Sequence, residues 1–358
     1  MKRIMIIVPS MRGGGSERVM SILSNNLDRK KFDITLILLK KEGQYLKDLH
    51  DDIKIIDLNV KKARYSIIKL YKIIKSDKPD IVFSTLGYLN ILLSMLKYFF
   101  SKKIKFIARE SSIPSQNHSD SLFGIVMKLL YKLFYNNFDL IIAQSDFMKE
   151  DLIKNYNIYN GKIKVINNPV DIEKIHKLYN IELNYYDNDK INLLAVGRLN
   201  KVKRFDILID IVNNLDNKFF LTIIGSGSEK QTLIKKIQSL NLENKVKILE
   251  FQTNPYNYMK NADVLLLTSK YEGFPNVVLE ANTCGTPVVA FNSPGGTAEI
   301  IETDINGILI ENNNLNEFID TLNTIELELF NKSLIKNLMY QKYSLKYIIN
   351  KYEEVLLS

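Results

Sequence analysis

The chain has 358 residues, of which 46% are hydrophobic and 25% charged, a composition typical of a folded protein with room for two domains. Its one cysteine, Cys284, excludes an internal disulfide framework and a cysteine zinc site, and is typical of a reducing compartment. The first apolar run, residues 4–8, is too short for a signal peptide, and no stretch reaches the roughly 18 uncharged residues of a spanning helix.

The net charge of +9 is unevenly distributed along the chain. Residues 1–170 hold 29 Lys and Arg against 16 Asp and Glu, a net charge of +13, whereas residues 171–358 hold 20 against 24, a net charge of −4. This asymmetry favours an anionic partner or surface for the first half. Composition alone is an equally weighted alternative, because a sequence rich in Lys, Asn, Ile and Tyr scatters lysines everywhere.

In the first half, apolar runs of strand length alternate with stretches that have helical spacing. The predicted strands are 3–9, 32–39, 53–58, 80–86, 105–110 and 140–145, and the predicted helices are 15–27, 67–77, 90–100 and 123–135. Strands that alternate with helices in this way predict a parallel sheet covered on both faces.

The same alternation restarts after "INNPVD" (166–171) and the polar run 180–190. The predicted strands are 191–197, 219–225, 246–251, 263–269, 287–291 and 307–310, with helices between them such as 204–215 and 229–240. The sequence therefore predicts an α/β protein with two doubly wound domains joined near Pro169. Ligands of such sheets bind outside the carboxyl ends of the strands, here in a cleft between the domains.

The loop after the first strand, "PSMRGGGSERVM", carries three glycines, Gly13, Gly14 and Gly15. They allow a ligand to approach the backbone closely, and the following helix offers amide N–H groups to an anion. The loop does not match a nicotinamide-dinucleotide motif, because the later glycine is missing and the second strand ends in Lys40 and Lys41 rather than an acid. A tight strand-to-helix turn explains the glycines equally well.

Two loops of the second domain carry the next candidates. Arg198 and Lys203 in "VGRLNKVKRFD" (196–206) follow a strand. The planar guanidinium of Arg198 and the ammonium charge of Lys203 suit a diphosphate at that place. Lys201 and Arg204 are better interpreted as a solvated loop. Gly225 and Gly227 in "IIGSGSE" (223–229) would allow a base or ribose to lie against the backbone, although such a pair of glycines more often marks only a turn.

The stretch "YEGFPNVVLEANTCGTP" (271–287) places two glutamates around a turn. The turn predicts a helix that begins near Asn276, whose first amides can hold phosphate oxygens. Glu280, one turn inside, is placed to accept hydrogen bonds from a ribose diol, and Glu272, before the turn, from sugar hydroxyls. Either acid alone could instead cap the helix or compensate its dipole. The pair together, near Arg198 and Lys203, favours a binding site.

These motifs resemble those of the retaining glycosyltransferases of family four, which have the GT-B fold. The resemblance covers nearly the whole chain and is carried by "GGGSER", "NPVD", "GRLNKVKRFD", "IIGSGSE" and "EGFPNVVLEANTCGTPVVA", the last with two glutamates separated by seven residues. It implies that Arg198, Lys203 and Glu272 are catalytic. The two cations would bind the donor diphosphate, and Glu272 would contact the donor sugar. The residues that it implies for binding the donor nucleotide sugar are Gly14, Gly15, Gly197, Gly225, Gly227, Asn276, Val277 and Glu280, the last on the ribose. Closure of the two domains would complete the site.

The resemblance implies no metal or other cofactor, the nucleotide sugar being the substrate. The motif "DND" (187–189) lies in a polar stretch before a strand and is interpreted as a surface loop rather than a metal site. The resemblance also implies that the anomeric configuration is retained, by front-face attack assisted by the leaving phosphate.

The sequence departs from the family pattern after the fifth strand, where many members carry a histidine beside the donor sugar. Here "ARESSIPSQNH" places Arg109 and Glu110 at the strand end, and these two are candidates for binding the acceptor or the sugar instead. His118 is interpreted as an ordinary loop histidine.

The resemblance implies a lipid-linked acceptor, with the first domain against a membrane. Residues 61–75 and 128–138 mix lysines, aromatic and aliphatic residues at helical spacing, which suits a helix at an anionic surface; an amphipathic helix packed on its own sheet is the alternative. The expected enzyme moves a hexose or N-acetylhexosamine from a UDP-linked sugar to a lipid-diphosphate-linked saccharide in synthesis of O-antigen lipopolysaccharide, capsule or exopolysaccharide. It is expected in the cytoplasm, peripheral on the inner face of the membrane.

Two other functions are open at this point: a UDP-N-acetylhexosamine epimerase of the same fold, and a basic nucleic-acid binder without enzymatic activity. The chain has three histidines, few for the cleft of such an epimerase, and no recognised nucleic-acid motif, so no nucleic-acid partner is expected. The expected domains are 1–168 for the acceptor, 169–340 for the nucleotide sugar, and a C-terminal helix in 341–358 that packs back on the first domain.

Overall fold

The computed structural model describes residues 1–117, 121–179, 185–187 and 189–358, so that His118 and part of the polar run 180–190 lie outside the described residues. The chain divides into two compact units. The first unit contains Met1–Pro169 together with Lys346–Ser358, and the second contains Val170–Leu345.

The first unit is built on a seven-stranded sheet in which every neighbouring pair is parallel. Its strands are β1 (Lys2–Val8), β2 (Phe32–Leu38), β3 (Lys54–Asp57), β4 (Ile81–Thr85), β5 (Lys105–Arg109), β6 (Leu140–Ala143) and β7 (Ile163–Val165). Its helices up to Pro169 are α1 (Gly15–Asn26), α2 (Ile67–Asp77), α3 (Gly87–Leu96), α4 (Pro114–Asn117), α5 (Leu122–Phe134) and α6 (Asp146–Tyr156). Short 3-10 helices cover Gln44–Asp48, Ala63–Ser66, Lys97–Phe99, Tyr135–Asn137 and Asn160–Lys162.

The strand order of this sheet is β3-β2-β1-β4-β5-β6-β7, which makes β1 and β4 neighbours. The chain winds outward from β1 in one direction and from β4 in the other, so the topological switch point lies between these two strands. All residues of β4 and β6 are buried, as expected for strands covered by helices on both faces.

The second unit contains a six-stranded parallel sheet. Its helices are α7 (Ile172–Leu178), α8 (Phe205–Asn213), α9 (Lys230–Ser239), α10 (Tyr256–Asn261), α11 (Asn276–Cys284), α12 (Thr297–Ile300), α13 (Leu315–Thr324) and α14 (Lys332–Tyr343). Its strands are β8 (Ile191–Val196), β9 (Phe219–Ile224), β10 (Val246–Leu249), β11 (Val264–Leu267), β12 (Val288–Phe291) and β13 (Gly307–Ile310). The order β10-β9-β8-β11-β12-β13 puts the switch point between β8 and β11.

Alternate residues of the second sheet enter two different hydrophobic clusters. Leu193 and Leu266 belong to a cluster with side chains of α8, α9 and α13, whereas Leu194 and Leu265 belong to one with side chains of α7, α10, α11 and α14. Side chains of a strand alternate between the faces of its sheet, so both faces of this sheet are covered. This burial explains why its strands appear in the sequence as continuous apolar runs.

The C-terminal helix α15 (Leu345–Leu357) belongs almost entirely to the first unit. The Glu353 carboxylate accepts a hydrogen bond from the backbone N–H of Asp28 (2.7 Å) and pairs with Lys31 Nζ (2.5 Å). Tyr352 is fully buried and its ring lies against Phe83 of β4, with 6.3 Å between the centroids. The last residues of the chain therefore complete the core of its first half.

Most predicted strands and helices are present within one or two residues of their expected limits, but several elements were not predicted. Strand β7 has only three residues, and one of them, Lys164, is exposed, so the sequence contains no clear apolar run there. Helix α6 buries Met148, Leu152 and Tyr156 at a spacing of four but is otherwise strongly polar. Its clearest signal is Ser145, whose hydroxyl accepts a hydrogen bond from Met148 N–H and caps the helix.

Candidate active site

The charged candidate residues Arg198, Lys203 and Glu272 lie at the switch point of the second unit, where the loops after β8 and β11 are side by side. Lys270 N–H in the second loop donates to the carbonyl of Val202 in the first, at 2.7 Å. The Thr268 hydroxyl lies 3.2 Å and 3.1 Å from the carbonyl oxygens of Lys203 and Arg204. These contacts hold the two loops together independently of any ligand.

Lys203 and Glu272 form an ion pair across these two loops, with 2.5 Å between Lys203 Nζ and Glu272 Oε1. The Lys203 backbone N–H donates to the carbonyl of Asn200 (3.1 Å), which fixes the turn that presents the ammonium group. Both side chains keep some contact with solvent, at 21% and 13% exposure. The side chain predicted to bind the diphosphate, Lys203, and the one predicted to bind the sugar, Glu272, are therefore in direct contact with each other.

Arg198 lies in the same loop as Lys203, two residues after β8. Its side chain is exposed, and its guanidinium makes no hydrogen bond or ion pair with any residue that the structure describes. Because a guanidinium carries five N–H donors, Arg198 can bind an anion without giving up an internal partner.

The loop that carries Glu272 is fixed on its other side by the loop after β12. Glu272 N–H donates to the carbonyl of Pro294 (3.0 Å), and Gly296 N–H lies 3.2 Å from the Glu272 carbonyl. This short backbone pairing joins the loops after β11 and β12. These bonds fix the backbone of Glu272, and the ion pair with Lys203 holds its carboxylate.

Helix α11 begins at Asn276 directly after this loop and is buried from Val278 to Cys284. Glu280 lies one turn into the helix and is 6% exposed, whereas the first two residues, Asn276 and Val277, are partly exposed. The amides of a first helical turn have no acceptor within the helix, so this end carries positive potential. Gly285, at φ +88°, ends the helix in the left-handed conformation that favours glycine.

The two glycines after β9 have an internal structural explanation. A Cβ at Gly225 would lie 1.9 Å from the carbonyl oxygen of Gly197, and one at Gly227 would lie 2.2 Å from that of Leu199. The loops after β8 and β9 are joined by a hydrogen bond from Leu199 N–H to the Ser226 carbonyl, at 2.9 Å. Close packing of two loops accounts for both glycines, and their contact with a base or ribose stays a prediction.

Three hydroxyl groups near the same edge were not selected from the sequence. Ser269 follows β11, and Ser293 and Thr297 follow β12. Each hydroxyl oxygen is buried and has no hydrogen-bond partner among the described residues. The motif "NSPGGT" (292–297) after a predicted strand was the available signal, because it combines glycines and hydroxyls at a strand end.

In the first unit, Gly14 precedes α1 and Gly15 is its first residue. The start of α1 is tied to the end of β4 by a hydrogen bond between the Ser16 and Thr85 hydroxyls, 2.9 Å apart. The glycines therefore lie at the switch point of the first sheet, where doubly wound sheets bind ligands. Their contact with a phosphate or sugar stays a prediction.

Arg109 and Glu110 lie at the end of β5, but both side chains point into the first unit. Arg109 is fully buried, and its guanidinium donates to the Tyr352 hydroxyl from Nε (3.1 Å) and to Asn168 Oδ1 from Nη2 (2.6 Å). Its Nη1 is buried without a partner among the described residues. Arg109 thus connects β5 to the C-terminal helix and to the residue before Pro169.

The Glu110 carboxyl is 1% exposed and lies in a network of neutral polar groups. Its Oε1 accepts hydrogen bonds from Asn90 Nδ2 (3.2 Å) and the Tyr131 hydroxyl (3.1 Å), while its backbone carbonyl accepts one from Gln144 Nε2 (2.7 Å). Burial raises the pKa of Glu110 to about 8, because removal from water penalises the charged form. The acid is therefore protonated at neutral pH and belongs to the interior.

Within the described ranges, no group of three or more His, Cys, Asp or Glu side chains is arranged to hold a metal ion. Asp187 and Asp189 of the predicted surface loop are exposed. None of the helices in the part of the chain that the structure describes is both long and apolar enough to cross a membrane.

Two parallel doubly wound units, with charged loops at the switch point of the second, define an α/β protein of the GT-B type. Solved structures share this fold: HepE of Anabaena in complex with UDP superposes with a TM-score of 0.80 over 99% of both chains, at 21% identity. Residues 13–174 match the family described as Glycosyltransferase Family 4, and residues 182–338 match the one described as Glycosyl transferases group 1.

Two curated relatives extend over most of the chain. One, from Campylobacter jejuni, is the N-acetylgalactosamine-N,N'-diacetylbacillosaminyl-diphospho-undecaprenol 4-alpha-N-acetylgalactosaminyltransferase, 32% identical over 91% of this chain and 90% of its own. The other, from Escherichia coli, is the UDP-Gal:alpha-D-GlcNAc-diphosphoundecaprenol alpha-1,3-galactosyltransferase, 27% identical over 83% of this chain and 80% of its own. The chain belongs to the family-four glycosyltransferases with the GT-B fold, and it is a glycosyltransferase.

Proposed function

We propose that this glycosyltransferase moves a hexose or N-acetylhexosamine, with retention of configuration, from a UDP-linked sugar to a lipid-diphosphate-linked saccharide in surface polysaccharide assembly. Both curated relatives act, by name, on a saccharide carried by diphospho-undecaprenol, and the Escherichia coli relative uses UDP-Gal. Both names also specify an alpha linkage, which is the product that retention gives when the donor sugar is alpha-linked.

The observation that carries this proposal is the contact between Lys203 and Glu272 beside the exposed Arg198. Transfer breaks the bond between the anomeric carbon and a phosphate oxygen, and the departing UDP gains negative charge. We assign Lys203 and Arg198 to that diphosphate, where fixed cations stabilise the transition state. The ion pair holds Lys203 in place before the donor arrives; in the complex, Lys203 donates to phosphate while Glu272 accepts from a sugar hydroxyl.

Glu280 is assigned to the ribose. Its carboxylate is nearly buried one turn inside α11, and a buried acid that accepts hydrogen bonds from hydroxyl groups discriminates strongly against ligands that lack them. The amides of Asn276 and Val277 are assigned to phosphate or sugar oxygens, because they begin the same helix.

Retention follows when the acceptor hydroxyl attacks the anomeric carbon on the face from which UDP departs. The acceptor oxygen forms the new bond, and its proton passes to the leaving phosphate oxygen, so no protein base and no cofactor are required. The carboxyl groups at the second switch point, Glu272 and Glu280, have binding roles in this scheme.

We place the enzyme on the inner face of the cytoplasmic membrane, as a peripheral protein. The support is the charge of +13 on residues 1–170, which favours an anionic lipid surface, and the lipid-linked acceptors named for the relatives. Because the chain has no recognised nucleic-acid motif, the proposal includes no nucleic-acid partner.

Thermal stabilisation by nucleotides tests the donor assignment. A ligand that binds only the folded state stabilises it by about 2.7 kcal/mol at 100 times its dissociation constant. We expect UDP to raise the melting temperature of the wild type more than GDP or ADP at equal concentration, and Glu280→Ala to lose this effect. The exposed Glu243→Ala in the same unit is the matched control and should respond like the wild type.

A larger effect of GDP would contradict the UDP assignment and leave the transferase reaction in place. Equal stabilisation of Glu280→Ala and the wild type would contradict the ribose role.

A further inference from the structure

The switch point of the first sheet contains a strained turn. Leu86, directly after β4 and before α3, has φ +76° and ψ 122°. Bulky residues rarely adopt a positive φ, because the side chain clashes with the backbone. Such strain persists only where the surrounding structure holds it, and it is concentrated at binding and catalytic sites. We call residues 85–88 the β4–α3 turn and examine it as a place for a ligand.

Buried polar side chains hold the β4–α3 turn from the interior of the first unit. The backbone N–H groups of Leu89 and Asn90 both donate to the Leu86 carbonyl, at 2.9 Å. Asn90 is fully buried, and its amide donates to Glu110 Oε1 (3.2 Å) and accepts a hydrogen bond from the Ser84 hydroxyl (2.7 Å). Glu110, which lies outside the reaction scheme, thus anchors the first turn of α3.

Tyr131 of α5 gives the same turn a second support. A Cβ at Gly87 would lie 2.0 Å from the Tyr131 hydroxyl oxygen, and that hydroxyl donates to Glu110 Oε1 at 3.1 Å. Tyr131 is 2% exposed and stacks on Tyr135, with 4.3 Å between the ring centroids, so its hydroxyl has little room to move. Close packing therefore requires glycine at position 87 and leaves the turn little freedom to relax.

The β4–α3 turn presents Tyr88 to solvent. This tyrosine is the second residue of α3 and is 45% exposed. Partial burial and the Glu17 carboxylate together raise the pKa of Tyr88 to about 12, so the carboxylate acts on the phenol hydroxyl. A single exposed tyrosine is common on protein surfaces, but this one is paired with an acid at the point where doubly wound sheets bind ligands.

Glu17 reaches the β4–α3 turn from the first turn of α1. The hydrogen bond between the Ser16 and Thr85 hydroxyls, 2.9 Å long, joins the two elements next to it. The Glu17 carboxylate lies against the loop after β1, since a Cβ at Gly14 would be 2.1 Å from Glu17 Oε2. Glu17 is partly exposed. Because a carboxylate has about four acceptor positions, Glu17 can accept further hydrogen bonds from a ligand.

We propose that Glu17 and Tyr88 bind the terminal sugar of the acceptor, whose hydroxyl groups donate to Glu17 and whose apolar C–H face packs on the Tyr88 ring. The proposal rests on the function proposed above, which makes the acceptor a saccharide. A carboxylate accepts hydrogen bonds from neutral hydroxyls but repels a diphosphate, and an aromatic ring buries the C–H face of a pyranose favourably. Arg109 and Glu110, the sequence candidates for such contacts, are buried.

Soluble probes separate the sugar from the rest of the acceptor. One probe is decyl diphosphate, and the others are decyl diphosphate carrying N-acetylglucosamine or N-acetylgalactosamine, sugars named in the acceptors of the two relatives. Isothermal titration calorimetry in the presence of UDP gives each dissociation constant. The ratio of the constant for decyl diphosphate to that for the better sugar probe measures the contribution of the sugar, and we expect it to exceed 1 in the wild type.

Substitutions of the two residues should reduce this ratio. Glu17→Gln should lower it roughly tenfold or more, because hydrogen bonds to a charged group are lost. Tyr88→Ala should lower it by a similar factor, whereas Tyr88→Phe, which keeps the ring, should stay close to the wild type. Glu150→Gln and Tyr347→Ala are the matched controls, at a glutamate 52% exposed and a tyrosine 44% exposed in the same unit. Both controls should bind every probe like the wild type.

Glu17→Asp distinguishes ligand binding from a purely structural role. An acid in the first turn of α1 also compensates the helix dipole, and Asp keeps that charge while it withdraws the carboxylate by one methylene. We expect Glu17→Asp to melt like the wild type and still to lose most of the ratio. An unchanged ratio in Glu17→Gln and Tyr88→Ala would overturn the proposal, as would an equal loss of affinity for decyl diphosphate alone.

Stabilisation by UDP separates failure of this proposal from failure of the proposed function. Glu17→Gln and Tyr88→Ala should keep the wild-type response to UDP, because the nucleotide is assigned to the second unit. If UDP stabilises the wild type and the sugar probes bind no more tightly than decyl diphosphate, the sugar site alone is wrong. If UDP does not stabilise the wild type, the donor assignment is wrong, while the ratio still decides the sugar site.

Discussion

Polar residues at the ends of strands have opposite roles in the two units. After β8 and β11 of the second unit, Arg198 is exposed and Lys203 and Glu272 pair in partial contact with solvent. At the end of β5 in the first unit, Arg109 and Glu110 are buried and bond to neighbouring side chains. All of these residues lie at the end of a predicted strand or in the loop after it, so their positions in the sequence are similar.

The difference teaches that a charged residue at a strand end identifies a ligand site only when the ligand can reach it. The second unit keeps Arg198 exposed and Lys203 and Glu272 in partial contact with solvent, on loops at the topological switch point. In the first unit, α15 returns to place Tyr352 on Arg109, and α5 places Tyr131 on Glu110. Ligand access, rather than residue type, distinguishes the two regions.

The largest effect is expected at Lys203. Removing one preorganised cation from a developing phosphate charge lowers kcat by about 10²–10³-fold. We therefore expect Lys203→Ala to lose that factor in transfer from a UDP-sugar, measured as released UDP, with its melting temperature close to that of the wild type. Lys201→Ala, exposed in the same loop, is the control and should keep its activity. Near-normal turnover by Lys203→Ala would place the leaving-group charge elsewhere.

At Arg109 we expect the opposite result, a loss of stability without a loss of UDP binding. Arg109→Ala removes the hydrogen bonds to Tyr352 and Asn168 and leaves a cavity, which should destabilise the first unit by about 2–4 kcal/mol. Denaturant unfolding gives that value, and UDP binding to the refolded protein should stay unchanged. A stable Arg109→Ala protein that cannot transfer sugar would instead assign Arg109 to the acceptor or sugar. Lys154→Ala, exposed on α6, is the control.

The smallest effect, at Glu110, appears as a dependence of stability on pH. Burial raises the folded-state pKa of Glu110 to about 8, so the folded protein holds a proton that the unfolded chain releases near the ordinary glutamate pKa of 4.5. Stability is therefore full below pH 4.5 and falls as the pH rises to about 8, by about 1.4 kcal/mol for each pH unit between these two values. Asp151 and Tyr131 lie near enough to influence this titration.

Glu110→Gln should remove that part of the pH dependence, measured as the difference in melting temperature between pH 5.5 and pH 8.5. The exposed Glu150→Gln should leave the slope unchanged. A slope in Glu110→Gln equal to that of the wild type would show that Glu110 is ionised in the folded protein.

Much of the fold could be predicted from the sequence because both sheets are buried on two faces. Continuous apolar runs therefore mark the strands, and helical periodicity marks the segments between them. Strand β7 and helix α6 were missed because the first is very short and the second is mostly polar. Sheet order has no local signal, since it depends on pairings between residues far apart in the chain. The packing of a C-terminal helix on the first unit was expected for residues 341–358, although no local pattern specifies which residues it contacts.

The candidate site divides in the same way. Motif spacing selected Arg198, Lys203, Glu272 and Glu280, and these residues do lie on the loops and the helix at the switch point of the second unit. It did not indicate that Lys203 and Glu272 touch, because 69 residues separate them. It also selected Gly225 and Gly227, whose close contact with Gly197 and Leu199 is itself sufficient reason for glycine.

The sequence by itself determined the family, the α/β class, the two repeated sheets and the charged motifs, because periodicity and short motifs are local properties of a chain. The tertiary structure alone decided which charges are accessible: it exposed Arg198, paired Lys203 with Glu272, and buried Arg109 and Glu110. It also left Leu122, Leu129 and Leu133 of α5 exposed to solvent. Burial depends on distant segments that pack against a residue, and no local pattern contains that information.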